Sequence, residues 1–112
     1  MKSLIATAGL IAGIAMTTSA LACDPSAAEE RWGKAEEEGI VLGAGMVNDL
    51  PSFAVDEAVW DQLDLNTRTA MAETFECVIA GPESILAKAQ VLTNGGEVLA
   101  IWDGIDQELD IK

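Results

Sequence analysis

Two cysteines, Cys23 and Cys77, are the side chains of this sequence most capable of covalent chemistry, and 19 Asp and Glu carboxylates are the ones that could handle protons or hard cations. Two thiols allow three fates: a structural disulfide, a redox couple, or a single modified sulfur. The redox couple is the weakest, because no Cys-x-x-Cys is present and no histidine is available to activate a thiolate. The absence of histidine also removes Ser-His-acid and Cys-His nucleophile systems, the usual neutral-pH proton shuttle and every His-containing metal site.

The carboxylates suggest two constellations, and spacing argues against both. Asp103, Asp106, Glu108 and Asp110 invite a calcium site, since hard cations gather several carboxylate oxygens. Positions 106, 108 and 110 would instead lie along one face of a strand, about 6.5 to 7 Å per step, and would not converge. Charges on the outward face of an edge strand, which discourage sheet-to-sheet pairing, account for them better. Asp61 and Asp64 could serve as general acid and base, but in so acidic a chain such spacings arise by chance. Gly43-Ala44-Gly45 lacks the third glycine and the following helix of a dinucleotide loop, and marks a bulge or close backbone packing. No catalytic set, metal site or cofactor is expected from this pattern.

Which fate awaits Cys23 depends on what precedes it. Residues 1–22 carry Lys2, an uncharged apolar run from Leu4 to Met16, and a polar stretch leading into Ala20-Leu21-Ala22. That is the layout of a secretory signal with a small-x-small cleavage site. About 13 apolar or small residues fall short of the roughly 20 needed to span a bilayer. Cleavage after Ala22 would leave residues 23–112 as one small exported domain, with all 19 acids and five bases, a net charge of −14 against −13 for the whole chain.

Cys23 then stands first in the exported chain. In one reading it pairs with Cys77 in an oxidising compartment such as the periplasm. In the other it carries the acyl chains of a bacterial lipoprotein anchored to the envelope. The upstream residues match a lipobox only in part, with Ala20 where leucine is usual and Leu21 where a small residue is usual. The even cysteine count favours the disulfide, which would close a loop of roughly 54 residues and contribute on the order of 4 kcal/mol.

The elements that would position these residues are legible in outline. Asp24 and Pro25 open a helix over residues 24 to 38, Gly39 ends it, and its thin apolar stripe is Ala28, Trp32 and Ala35. Ile40 to Val47 reads as a strand, Asn48-Asp49-Leu50-Pro51 as a turn, and Ser52 to Val55 as a short returning strand. Asp56 caps a brief helix through Leu63 with Trp60 inward. Asp64 caps a longer one from Leu65 to Ala80, stopped by Gly81-Pro82. On a helical projection Leu65, Ala72, Phe75, Val78 and Ile79 share one face, with Cys77 opposite, where an N-terminal segment bonded to it would cover it. Arg68 projects into that apolar face, either laying its stem over apolar surface or pairing with an acid from the sheet.

The last 28 residues read as a three-stranded meander. Ile85 to Thr93 forms the first strand, Asn94-Gly95-Gly96 a hairpin turn, Val98 to Trp102 an apolar middle strand, and Ile105 to Lys112 an alternating last strand. The expected fold is therefore α+β: an N-terminal helix, and a central helix packed on a small antiparallel sheet that ends in the meander. Its acidity disfavours nucleic acid, whose phosphates it would repel, and implies a neutral or basic protein partner. A membrane enters only if Cys23 is lipidated. The expected function is a binding or structural role in an exported, periplasmic protein, without catalysis, the alternative being the acidic lipoprotein.

Overall fold

A computed structural model describes residues 23–112; the expected signal segment, 1–22, lies outside the described residues. The described chain runs α1 (Pro25–Glu37), β1 (Val41–Val47), β2 (Leu50–Val55), α2 (Glu57–Gln62), α3 (Leu65–Ala80), β3 (Ala89–Thr93), β4 (Val98–Asp103) and β5 (Glu108–Ile111). The α+β class holds.

Local chemistry sets the helix ends. Asp24 accepts from the Ser26 and Ala27 N–H groups, Asp56 from Val59 and Asp64 from Thr67, so each helix opens on a side-chain cap that satisfies an orphan donor. The two Thr67 hydrogen bonds hold the exposed Asp64 carboxyl below its ordinary range. Gly39, just beyond α1, adopts φ +77°, and the chain turns there so that the Ile40 N–H reaches the Ala35 carbonyl at 2.9 Å.

The sheet is larger than expected and mixed. It has five strands in the order β1-β2-β3-β4-β5. All neighbours are antiparallel except β2 and β3, which run parallel, with Phe53 beside Val91 and Val55 beside Thr93. A parallel pair needs a crossover, and α2 with α3 supplies it. The parallel β2–β3 contact thus joins the β1–β2 hairpin to the meander in one sheet that is not purely antiparallel.

One face of this sheet receives the helices. Phe53 and Val55 from β2, Ala89 and Val91 from β3, and Ala100 and Trp102 from β4 pack with Trp32, Trp60, Ala72 and Phe75 into a single core. Trp32, Phe53 and Phe75 meet with ring centroids 4.9 to 5.3 Å apart, joining α1, the sheet and α3 at one point. All three tryptophans are core residues, as expected.

Four local expectations change. Leu50 and Pro51, expected in the turn, already belong to β2 and pair with Val47 and Met46. The strand expected from Ile85 begins at Ala89, because Leu86 and Ala87 are held by a side chain and a turn instead of a ladder. The strand expected from Ile105 begins at Glu108. Asp103 Oδ1 accepts from the Ile105 and Asp106 N–H groups and closes a turn, which leaves Ile105 71% exposed. On α3, Ala72 and Phe75 are buried as expected, yet Leu65 and Ile79 are exposed while Glu76 is buried. Two partners decide this: α1 lies along one side of α3, and the β4–β5 turn covers another.

Candidate functional site

Cys23 and Cys77, 54 residues apart, are brought together as a disulfide with Cα atoms 5.7 Å apart. Cys77 lies on the side of α3 that α1 covers, so the bond ties the start of α1 to the middle of the chain. It leaves no free cysteine among the described residues.

Immediately before Cys77 on α3 stands a feature that sequence reasoning missed, the buried Glu76 carboxylate. Its Oε2 accepts from the Leu86 N–H at 2.9 Å and from Trp102 Nε1 at 3.1 Å, and its Oε1 accepts from Gln107 Nε2 at 3.0 Å. Three donors from three segments thus converge on a helical carboxylate and hold the 81–88 loop, β4 and the β4–β5 turn against α3. Gly104 is required at the same place: a Cβ there would overlap both the Leu86 carbonyl and the Glu76 carboxylate. The signal in the sequence is weak, since a glutamate at this position also fits a solvent face. Glu73, one turn earlier and half-buried, has its carboxyl pushed up, first by burial and then by the neighbouring Glu76 charge.

Among the described residues Arg68 makes no ion pair with an acid from the sheet. Its Nε and Nη2 donate to the Trp60 carbonyl at 3.1 and 2.9 Å, while the guanidinium lies 5.0 Å from the Trp60 ring centroid. It therefore clamps the end of α2, where the Trp60 carbonyl also accepts from the Leu63 N–H at 3.0 Å and a cation suits the dipole.

The acids considered for calcium do not gather. Asp103 serves its own turn, and Asp110 forms an exposed ion pair with Lys112 at 2.8 Å. Among the described residues no group of three or more His, Cys, Asp or Glu side chains has metal-binding geometry. Asp64 is occupied as the cap of α3, and Asp61 lies exposed at the end of α2.

The remaining feature is the other side of the sheet, outside the helix-packed core of the described residues, where Ser52, Gln90 and Leu92 are nevertheless buried. Gly43 and Gly45 of β1 stand beside Ala54 and Ser52 of β2, and Ala54 stands beside Leu92 of β3. These residues, with Ala44, Val47 and Phe53, line an open hollow of about 190 Å³. A Cβ on Gly43 or Gly45 would meet nothing within 4 Å, so packing within the chain does not require either glycine. At the rim, Gln90 Nε2 donates to the Val47 carbonyl at 3.1 Å and to Ser52 Oγ at 3.0 Å, fastening the β1–β2 hairpin to β3.

Comparison with protein-family models, curated proteins and solved structures finds no match for this chain. Its function must be argued from the geometry alone.

Proposed function

We propose that residues 23–112 form a small exported domain, resident in an oxidising compartment such as the periplasm, that acts by binding a neutral or basic protein partner and performs no chemistry of its own. The observation that carries this reading is the Cys23–Cys77 disulfide. Disulfides persist where thiols are not kept reduced, and this one begins at the first residue after the small-x-small motif of the N-terminal segment. The bond also occupies the sulfur to which a lipid anchor would attach, which favours a freely exported domain over the acidic lipoprotein. The binding role is supported by the sheet: among the described residues the helices pack on one face, and the other offers an apolar hollow lined by Gly43, Gly45, Val47, Ala54 and Leu92. Nineteen acids against five bases would steer a basic partner toward the domain.

The test is the intact mass of the protein recovered from its own cell envelope, with and without reductant. Loss of residues 1–22 together with a gain of about 2 Da on reduction is expected, since opening the bond adds two hydrogens. Acyl mass on Cys23 would support the lipoprotein instead, and a retained N-terminus would overturn export with cleavage. Partner capture from the same extract is expected to weaken as salt rises, because screening removes the steering charge.

A further inference from the structure

The five-stranded sheet has two edges, β1 and β5, and among the described residues one of them carries no protecting charge or proline. Strand β1 reads Val41-Leu42-Gly43-Ala44-Gly45-Met46-Val47, seven residues without a charge or a proline. Edge strands carrying neither are templates for pairing with another strand. Leu42, Met46 and Val47 are 48, 68 and 38% exposed there.

The order of these residues indicates the partner. About Ala44 the strand is a palindrome in size: Gly43 mirrors Gly45, Leu42 mirrors Met46, and Val41 mirrors Val47. Two copies laid antiparallel about a two-fold axis through Ala44 would therefore set small against small and large against large at every position. Such matching is what an isologous interface demands.

The backbone is in phase with this register. Asn48 and Asp49, at φ +54° and +66°, form a two-residue hairpin turn, which makes Val47 and Leu50 a hydrogen-bonded pair. Pairs alternate from there, so Met46 and Ala44 fall at non-hydrogen-bonded positions toward β2, and their N–H and C=O groups point to the open edge. Ala44 would exchange two bonds with Ala44 of the second copy, and Met46 would lie beside Leu42 of that copy. The register shift between Val41 and Gly43 twists the far end of the strand but leaves Gly43 to Val47 regular.

We propose that the chain forms a two-fold homodimer by antiparallel β1–β1 pairing centred on Ala44, giving one continuous ten-stranded sheet. Growth stops at two copies because the opposite edge, β5, is four residues long and carries Glu108 and Asp110, charges that discourage further pairing. This inference rests on the strand and its register, and is independent of export and of any basic partner. Its salt response has the opposite sign: two acidic copies repel, so salt strengthens their association, whereas it weakens capture of a basic partner.

Sedimentation equilibrium of the full chain tests this, from micromolar up to about 1 mM at low and high salt. A dimer favoured by salt is expected. Met46→Lys, and separately Leu42→Lys, should each weaken it at least about tenfold, both at exposed positions where the fold tolerates a charge. Ile111→Lys on β5 should leave it unchanged. Amide exchange at Ala44 and Met46 should slow as concentration rises. A monomer at every concentration and salt overturns the proposal. So does a dimer indifferent to both β1 lysines, or one whose Ala44 and Met46 amides exchange equally fast at all concentrations.

Discussion

The two ends of the sheet are tied to the helices by different contacts. At the β1 end the attachment is apolar: Trp32 from α1 meets Phe53 of β2 and Phe75 of α3, with Val41 and Val55 alongside. At the β5 end it is polar: the Glu76 carboxylate gathers donors from the loop before β3, from β4 and from the turn before β5. The surfaces divide in the same way. β1 exposes apolar side chains and no charge, while β5 exposes acids. An edge anchored by apolar packing can itself stay uncharged and available to a partner, whereas a short charged edge of four residues depends on directional bonds to stay in place. The disulfide from α1 to α3 is the covalent link between these two regimes.

Truncating the aromatic contact should give the larger effect. Phe53→Ala removes the side chain shared by Trp32 and Phe75 and should cost about 4 kcal/mol in urea unfolding, because the cavity cannot refill between two rings. The loss should be nearly independent of salt, and marked salt dependence would contradict an apolar anchor. Glu76→Ala should cost about 3 kcal/mol, since the Trp102 Nε1 and Leu86 N–H donors are left buried without an acceptor. Glu76→Gln should cost less. Its carbonyl can keep both of those donors while its amide opposes the Gln107 amide, so adding Gln107→Glu should recover part of the loss. Failure of that second change to recover anything would show that the clasp depends on something other than the bond to residue 107.

The smallest effect belongs to Glu73, and pH gives its sign. Burial and the Glu76 charge raise its folded carboxyl above the ordinary range, so the folded state holds the proton more tightly than the unfolded one. Stability from this group is fully present below the unfolded value and is lost as pH rises through the raised one. Glu73→Gln should therefore be the more stable protein at neutral pH, by less than about 1 kcal/mol given the partial exposure. That advantage should vanish in acid, where both side chains are neutral. Urea midpoints of the two proteins across pH would show it, and an advantage that persists unchanged in acid would contradict the cause.

How far the sequence could be read follows from the range of each interaction. Asp24, Asp56 and Asp64 announced their helices because a cap bonds to an N–H two or three residues away, and Gly39 and the Asn94-Gly95-Gly96 turn are equally local. The cysteine pairing could be read from an even count and a position behind a signal-like segment. Arg68 could be singled out as an oddity, but its clamp on the Trp60 carbonyl depends on how α2 meets α3. Ile105 and Ile79 alternate or repeat like core residues and yet are exposed, because periodicity says which residues share a face and not what covers that face.

The sequence by itself determined where the helices start and stop, the β1–β2 and β3–β4 turns, the apolar character of β4 and the palindrome of β1. Each is a property of neighbours along the chain. Only the tertiary structure decided that β2 and β3 lie parallel, that the meander is part of a five-stranded sheet, that Glu76 is buried, and that β1 is an edge. Those outcomes join segments tens of residues apart, and their free energy appears only when the chain has closed on itself and water has left the space between them.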